Sequence, residues 1–334
     1  MVNWSEGFSA TYYATIVDPD TWADMRELPV ISGNITRKAN SDLIESADMV
    51  VTEDVNMDAW VRVYLIAQQG DEKERTPLFT GIASSPSRNI EGNFEKRSLT
   101  CYSVLKVAQD IMLPLGWFAP GRTSGGELIK LLLSDLPCPV ELDEGSPSII
   151  SSFVAGDSDS KLSIAKEIAD AINWQIKING DGSVRICPKP LTISGTFDNI
   201  ENDIIETSVE DSRDIFSVPN VLRVTLNGSA ATARDDDPDS MYSTVNRGRE
   251  VWKTESAKLA AGESLGEYAF KRLKELQNPA RTLDYTRRFQ PEVNVNDLVS
   301  IVYPKQKIGE VFRVTSQSIS LSHGAPVKEE VTNE

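Results

Sequence analysis

Trp60-Val61-Arg62-Val63-Tyr64-Leu65-Ile66 is the stretch that decides the fold class. Its β-branched and aromatic side chains are those of a well-packed strand. Outward from it, Gly70-Asp71-Glu72-Lys73-Glu74 reads as a charged loop, and Pro77 to Ile82 and Glu95 to Tyr102 read as further short strands. Ser84, Pro86, Asn89, Gly92 and Asn93 supply turns between them. The strand-like pattern covers Trp22 to Tyr102, and strands spaced by polar turns predict a barrel or sandwich.

The character changes after Tyr102. Val104, Val107, Ala108, Ile111 and Met112 fall at helical spacing, stopped by Pro114 and Gly116. Ser124 and Glu127 make a capping box ahead of Leu128, Ile129, Leu131, Leu132 and Leu133. A third helix follows Asp157-Ser158-Asp159-Ser160, with Ile164, Ala165, Ile168 and Ile172 on one face. Trp174, Ile176 and Ile178 then alternate, Asn179-Gly180-Asp181-Gly182 turns, and Val184 and Ile186 return as a hairpin. Residues 103–196 thus predict a small α+β domain.

Strands resume at Val221 to Leu226, where the acidic loop Arg234-Asp235-Asp236-Asp237-Pro238-Asp239 interrupts them. A helix near Ser264 to Gln277 follows, opened by a second capping box, Ser264 and Glu267. Leu283, Tyr285, Arg287 and Phe289 alternate, and Leu298 to Tyr303 and Val311 to Leu321 read as strands. The charged tail Pro326 to Glu334 is expected to fray. The class is therefore α+β, mainly antiparallel β, with a helical insertion.

Bulk properties exclude several kinds of protein. At 334 residues, two or three domains are expected. Hydrophobic content of 40% and charged content of 25% exclude a disordered chain. No run of apolar residues is long enough to span a membrane, and residues 1–8 have no secretory leader. Cys101, Cys138 and Cys187, odd in number and far apart, predict reduced, partly buried thiols of a cytosol-made protein. A net charge of −16 repels nucleic acid, and the basic residues are scattered, densest at Arg287-Arg288 and at Arg272 and Lys274. Its plainest meaning is solubility.

Chemical motifs are weak throughout. The single histidine, His323, sits in a Ser-His-Gly turn, a poor place for a catalytic base. Gly121 to Gly126 has phosphate-loop spacing, yet Glu127-Leu128 stand where Lys and Ser or Thr are needed. Asp235, Asp237 and Asp239 open like a calcium loop, but Ser240 replaces the glycine and Asn246 the bidentate glutamate. The run Asp235, Asp236, Asp237 and Asp239 is read as a solvated acidic loop and a candidate interaction surface. No cofactor, metal or catalytic residue is assigned. A carboxylate-pair hydrolase stays open, since only geometry identifies a working pair.

In order along the chain, a set of strings resembles the tail hub proteins of phages and defective prophages. They are Ile31-Ser32-Gly33-Asn34-Ile35-Thr36-Arg37 with Glu45-Ser46-Ala47-Asp48-Met49, Arg97 to Leu105, Trp174 to Pro188, Val218 to Val224, Asp235 to Glu250, Val295 to Val299, and Ile319-Ser320-Leu321. The resemblance implies two similar β-barrel domains, 1–102 and 197–228 with 282–334, a middle domain 103–196, and an insertion 229–281. It further implies a non-enzymatic homotrimer whose ring joins the tail tube to a spike or tail-tip protein. Other baseplate proteins and the tape measure protein would be neighbours. The implied place is the virion tail tip or baseplate, assembled in the bacterial host cytoplasm, and the short C-terminus favours a contractile-type tail. Acids facing the bore would keep exiting DNA off the wall. Two other readings stay open. A receptor- or glycan-binding tail protein would cluster Trp4, Trp22, Trp117 and Trp252 in an exposed pocket, and a cell-wall hydrolase would show converging acids.

Overall fold

Alternating side chains build the first third of the chain as strands β1 (Ser9–Val17), β2 (Asp24–Leu28), β3 (Val30–Lys38), β4 (Glu45–Val51), β5 (Trp60–Gln69), β6 (Glu72–Ala83), β7 (Ser87–Glu91) and β8 (Phe94–Ser103). The computed structural model describes residues 2–91, 94–198, 205–226, 228–257 and 264–333, so the turn read at Gly92 and Asn93, and Glu334, lie outside the described residues. Contacts divide the chain into two compact units, residues 1–209 with 284–331, and residues 210–283 with 332–334.

Strand β5 is buried on both faces from Trp60 to Leu65. Its inward Val61, Val63 and Leu65 enter the main core, while Arg62 and Tyr64 on the other face are held by Asp24. It pairs with β1 from Ser9↔Gln68 to Val17↔Trp60, and with β6 from Trp60↔Ile82 to Gln69↔Glu72. Two sequence readings change here. Glu72, Lys73 and Glu74 lie in β6 and not in a loop, because the hairpin turns tightly at Gly70-Asp71. Strand β1, which the sequence reading passed over, is the full-length partner of β5.

The middle of the chain forms α1 (Lys106–Asp110), β9 (Phe118–Ala119), α2 (Gly125–Leu132), β10 (Val140–Leu142), β11 (Phe153–Val154), α3 (Lys161–Ala171), β12 (Trp174–Ile178) and β13 (Val184–Pro188). Ser124 caps α2 from one side only, whereas Ser160 and Ser163 cap α3 reciprocally. Strands β12 and β13 make the expected hairpin. Its turn docks on the first strands: a Cβ on Gly180 would stand 1.9 Å from the Pro77 carbonyl, so only glycine fits. Trp22, Arg62 and Thr80 donate to the carbonyls of that turn.

Next come β14 (Ile193–Asp198) and β15 (Ile205–Arg213). Then follow β16 (Val221–Leu226), β17 (Ser229–Arg234), α4 (Thr244–Arg247), β18 (Trp252–Ser256) and α5 (Leu265–Leu276). The chain returns through β19 (Arg281–Arg288), β20 (Leu298–Tyr303), β21 (Ile308–Ser320) and β22 (Pro326–Thr332). Fourteen strands join in one sheet, ordered β15-β19-β22-β21-β3-β4-β8-β6-β5-β1-β2, with β20 and β14 branching from β21 and β7 from β8. The chain is thus mainly antiparallel β with α elements, as expected.

The described pairings form an open path and close no barrel. Strands expected in two separate barrels are continuous because β21 is 13 residues long. Its first half pairs with β20 and its last five residues, Ser316 to Ser320, pair with β3. One core accordingly draws Leu28, Ile35, Phe79 and Leu99 together with Phe289, Ile319 and Val327.

The C-terminal segment does not fray up to Thr332. Val327, Glu329 and Val331 point inward from β22. The fully buried Glu329 accepts from Arg287 at 2.9 and 2.5 Å, from Gln317 at 2.6 Å and from the Tyr285 hydroxyl. Gln317 in turn accepts from Arg37, which donates to Glu45 at 3.3 Å and to the Leu78 carbonyl at 2.5 Å. This buried relay links β19, β22, β21, β3 and β4. Its charges are matched, which is the condition for tolerating them in a core.

In the smaller unit, β17-β16-β18 form a three-stranded sheet whose Leu222, Val224 and Ala233 pack with Ala269 and Leu273 of α5. Ser264 and Glu267 complete the predicted capping box at its start.

Candidate interaction surfaces

The acidic loop grows from a buried asparagine. The Asn220 side chain donates to the carbonyls of Tyr242 and Arg249 and accepts from the Val251 N–H, pinning the returning end of the 235–251 segment beside β16. Asp235, also buried, accepts from Ser240 Oγ at 2.6 Å, Gln277 Nε2 at 2.7 Å and the Asp237 N–H at 3.2 Å. Burial pushes its carboxyl up, but those bonds and Lys274 hold it below the usual range. Asp236 takes Arg234 and the Thr244 hydroxyl, and Asp237 accepts from the Asp239 N–H. The four predicted residues are therefore together. Asp235 and Asp236 brace the loop, and Asp237 and Asp239 are exposed. Among the described residues no group of His, Cys, Asp or Glu is placed to hold a metal.

What the braced loop shows outward is apolar as well as acidic. Met241 and Val245 are about 60% exposed. Nearby, Phe216 is exposed beneath the Arg249 guanidinium at 3.9 Å, and Arg247 and Arg249 both donate to its carbonyl. Among the described residues, Trp4 meets Phe8 and Phe289, Trp22 meets Trp60, and Trp252 lies under Arg223.

The glycines of the phosphate-loop spacing serve packing. A Cβ on Gly125 would strike Ile172, and one on Gly126 would strike Leu142 and Ser146, whose hydroxyl accepts from the Gly126 N–H. They let α2 approach α3 and β10. His323 is exposed in the turn between β21 and β22. All three thiols are free and buried, and burial pushes Cys138 up to about 12.

The sequence reading passed over a cavity of about 170 Å³ in the larger unit. Its lining is mixed: Ile44, Ala169, Trp174 and Ile176 share it with Asn40, Gln175 and Asn296, and with Lys166 and Lys189 beside Asp170. Lys166 donates to the Ser41 carbonyl at 2.7 Å and stands 3.8 Å from Asp42, while Lys189 lies 3.5 Å from Asp170. Burial pushes Lys166 below its ordinary value. Ile44 is held at φ +63°, a conformation that a branched side chain rarely adopts. Four separate stretches of chain meet here, 39–44, 166–176, 189 and 296, so no local pattern could announce it.

Solved structures share this mainly antiparallel fold. The chain is similar to the tail protein from Neisseria meningitidis MC58, with TM-score 0.68, 14% identity, and 98% of this chain covering 97% of that one. It is similar to the 43 kDa tail protein of prophage MuSo2 from Shewanella oneidensis, with TM-score 0.65, 13% identity and coverage of 96% and 97%. It is also similar to the E. coli c3393 protein, a type VI secretion component described as structurally similar to the T4 tail proteins gp27 and gp5. There the TM-score is 0.51, identity 5% and coverage 91% and 73%. At these identities the likeness is one of fold. No family model matches the chain, and no curated protein matches it by sequence.

Proposed function

We propose that this chain is a structural, non-enzymatic subunit of a phage-type tail hub. Three copies form a ring that joins the tail tube to the spike or tail tip and surrounds the channel for DNA and tape measure protein. The observation that carries this reading is the whole-chain match in fold: 98% of the chain follows 97% of a tail protein. On this reading residues 1–102 and 197–228 with 282–334 are the two halves of the sheet that alternate around the ring, with 103–196 between them and 229–281 inserted. Tube, spike and other baseplate proteins are its neighbours at the virion tail tip, after assembly in the host cytoplasm. Acidic side chains facing the bore would repel passing DNA.

Electron microscopy of the purified chain tests this. The expected class averages are rings with threefold symmetry and an open centre, and single-chain particles at every concentration would overturn the reading. A peptidoglycan zymogram is expected to stay uncleared.

A further inference from the structure

We propose that the 39–44 turn between β3 and β4 is a latch that holds α3 to the sheet while Glu45 is protonated and lets go when Glu45 ionises.

The surroundings of Glu45 are the first argument. Arg37 and Glu45 are the last cross-strand pair before the turn, and both are buried. Glu45 Oε2 accepts from Arg37 at 3.3 Å, whereas Oε1 is buried with no hydrogen-bond partner. The elements packed around the pair bring it no second cation. From β6 comes the Leu78 carbonyl and from β21 the neutral Gln317, both taking donors of Arg37. Behind Gln317, Arg287 and Glu329 answer each other, and Lys166 of α3 meets Asp42 at 3.8 Å. Lys38 and Asp42 are exposed. An ionised Glu45 is thus a buried charge with half its oxygens unsatisfied, which is costly. Burial pushes its carboxyl up to about 7, in line with that geometry.

The turn itself is the second. Ile44 is its one fully buried residue, and it is held at φ +63°. Ala39, Asn40 and Ile44 back onto the mixed cavity of about 170 Å³ instead of a close-packed core. Single hydrogen bonds keep the turn shut: Lys38 N–H to the Ile44 carbonyl at 2.7 Å, Ser103 Oγ to the Leu43 carbonyl at 2.6 Å, and Lys166 Nζ to the Ser41 carbonyl at 2.7 Å. A segment with so few buried apolar contacts opens at lower free energy than the core around it. Opening relaxes Ile44, lets water reach Glu45, and frees Lys166, by which α3 grips the turn.

The direction follows from linkage. The closed form binds the Glu45 proton more tightly than the open form, whose carboxyl titrates near its ordinary 4.5. Closure is therefore fully favoured below about pH 4.5 and weakens as pH climbs through about 7.

Amide hydrogen exchange of the full chain, corrected for intrinsic rates, tests the latch. Protection at Lys38 and Glu45 is expected to fall about tenfold or more between about pH 5 and about pH 8, through an opening that dilute urea does not promote. Glu45→Gln is expected to abolish that pH dependence. Lys166→Met is expected to lower protection in the turn equally at both pH values. Equal wild-type protection at both pH values overturns the latch, and so does exchange in the turn that occurs only with the urea-sensitive unfolding that exposes β5; neither outcome needs a variant to fold. A pH dependence that survives in Glu45→Gln removes Glu45 as the trigger, and a turn unaffected by Lys166→Met removes the hold on α3.

Discussion

The two units handle charge in opposite ways. The larger holds 37 of the 50 acidic residues and 23 of the 34 basic ones, a balance of −14, whereas the smaller holds 13 and 11, a balance of −2. The chain's acidity is thus a property of the larger unit. That unit also takes ions inside, as matched pairs such as Arg287 with Glu329 and Arg37 with Glu45. The smaller unit buries a modest apolar core and spends its acids on bracing a surface loop. The contrast is between ions taken into a core and acids used to brace a loop at the surface.

Breaking the matched pair should show the largest effect. Glu329→Ala strands Arg287 in the core and is expected to cost about 3–5 kcal/mol, read from urea unfolding. A cost under about 1 kcal/mol would mean the relay is not what holds β22 in place. Leu273→Ala is expected to cost about 2–4 kcal/mol and to act locally. Hydrogen exchange should quicken in β16 to β18 and stay unchanged in β5 and β6; equal quickening in both would merge the two units into one cooperative body.

Acid titration sharpens the comparison further. Burial pushes Glu45 up to about 7 from an ordinary 4.5, only partly offset by Arg37. Its folded form therefore binds the proton more tightly, so its contribution is full below about pH 4.5 and is lost as pH climbs through 7. Asp297, also raised by burial, adds in the same direction. Stability is expected to fall by roughly 2–3 kcal/mol between pH 5 and 8. Glu45→Gln should flatten that slope; an unchanged slope would remove Glu45 as its source. The smallest effect is at the α5 cap, where Ser264→Ala is expected to cost about 1 kcal/mol and to be confined to the smaller unit.

Most of the strand content was legible because alternation is a local signal. Trp60 to Ile66, Leu283 to Phe289 and the Trp174 hairpin all fold as their patterns read. The capping residues Ser160 and Ser264 likewise mark true helix starts. What failed was what depends on distant partners. Val327, Glu329 and Val331 do alternate, but an inward glutamate looks like a frayed tail until Arg287 is placed beside it. Glu72 to Glu74 looked like loop because their charges mask a hairpin. The span of β21 across two sets of strands, which leaves the sheet open, lies in no local string. Of the candidate surfaces, the acidic loop was legible by composition. The lysine-flanked cavity was not, since Ile44, Lys166 and Lys189 come from separate segments.

Native mass spectrometry of the purified chain puts the hub assignment to its most direct trial. Three chains per particle, dissociating straight to single chains without a dimer plateau, is the result a closed heterologous ring requires. A persistent monomer, or a dimer that never adds a third chain, would contradict it.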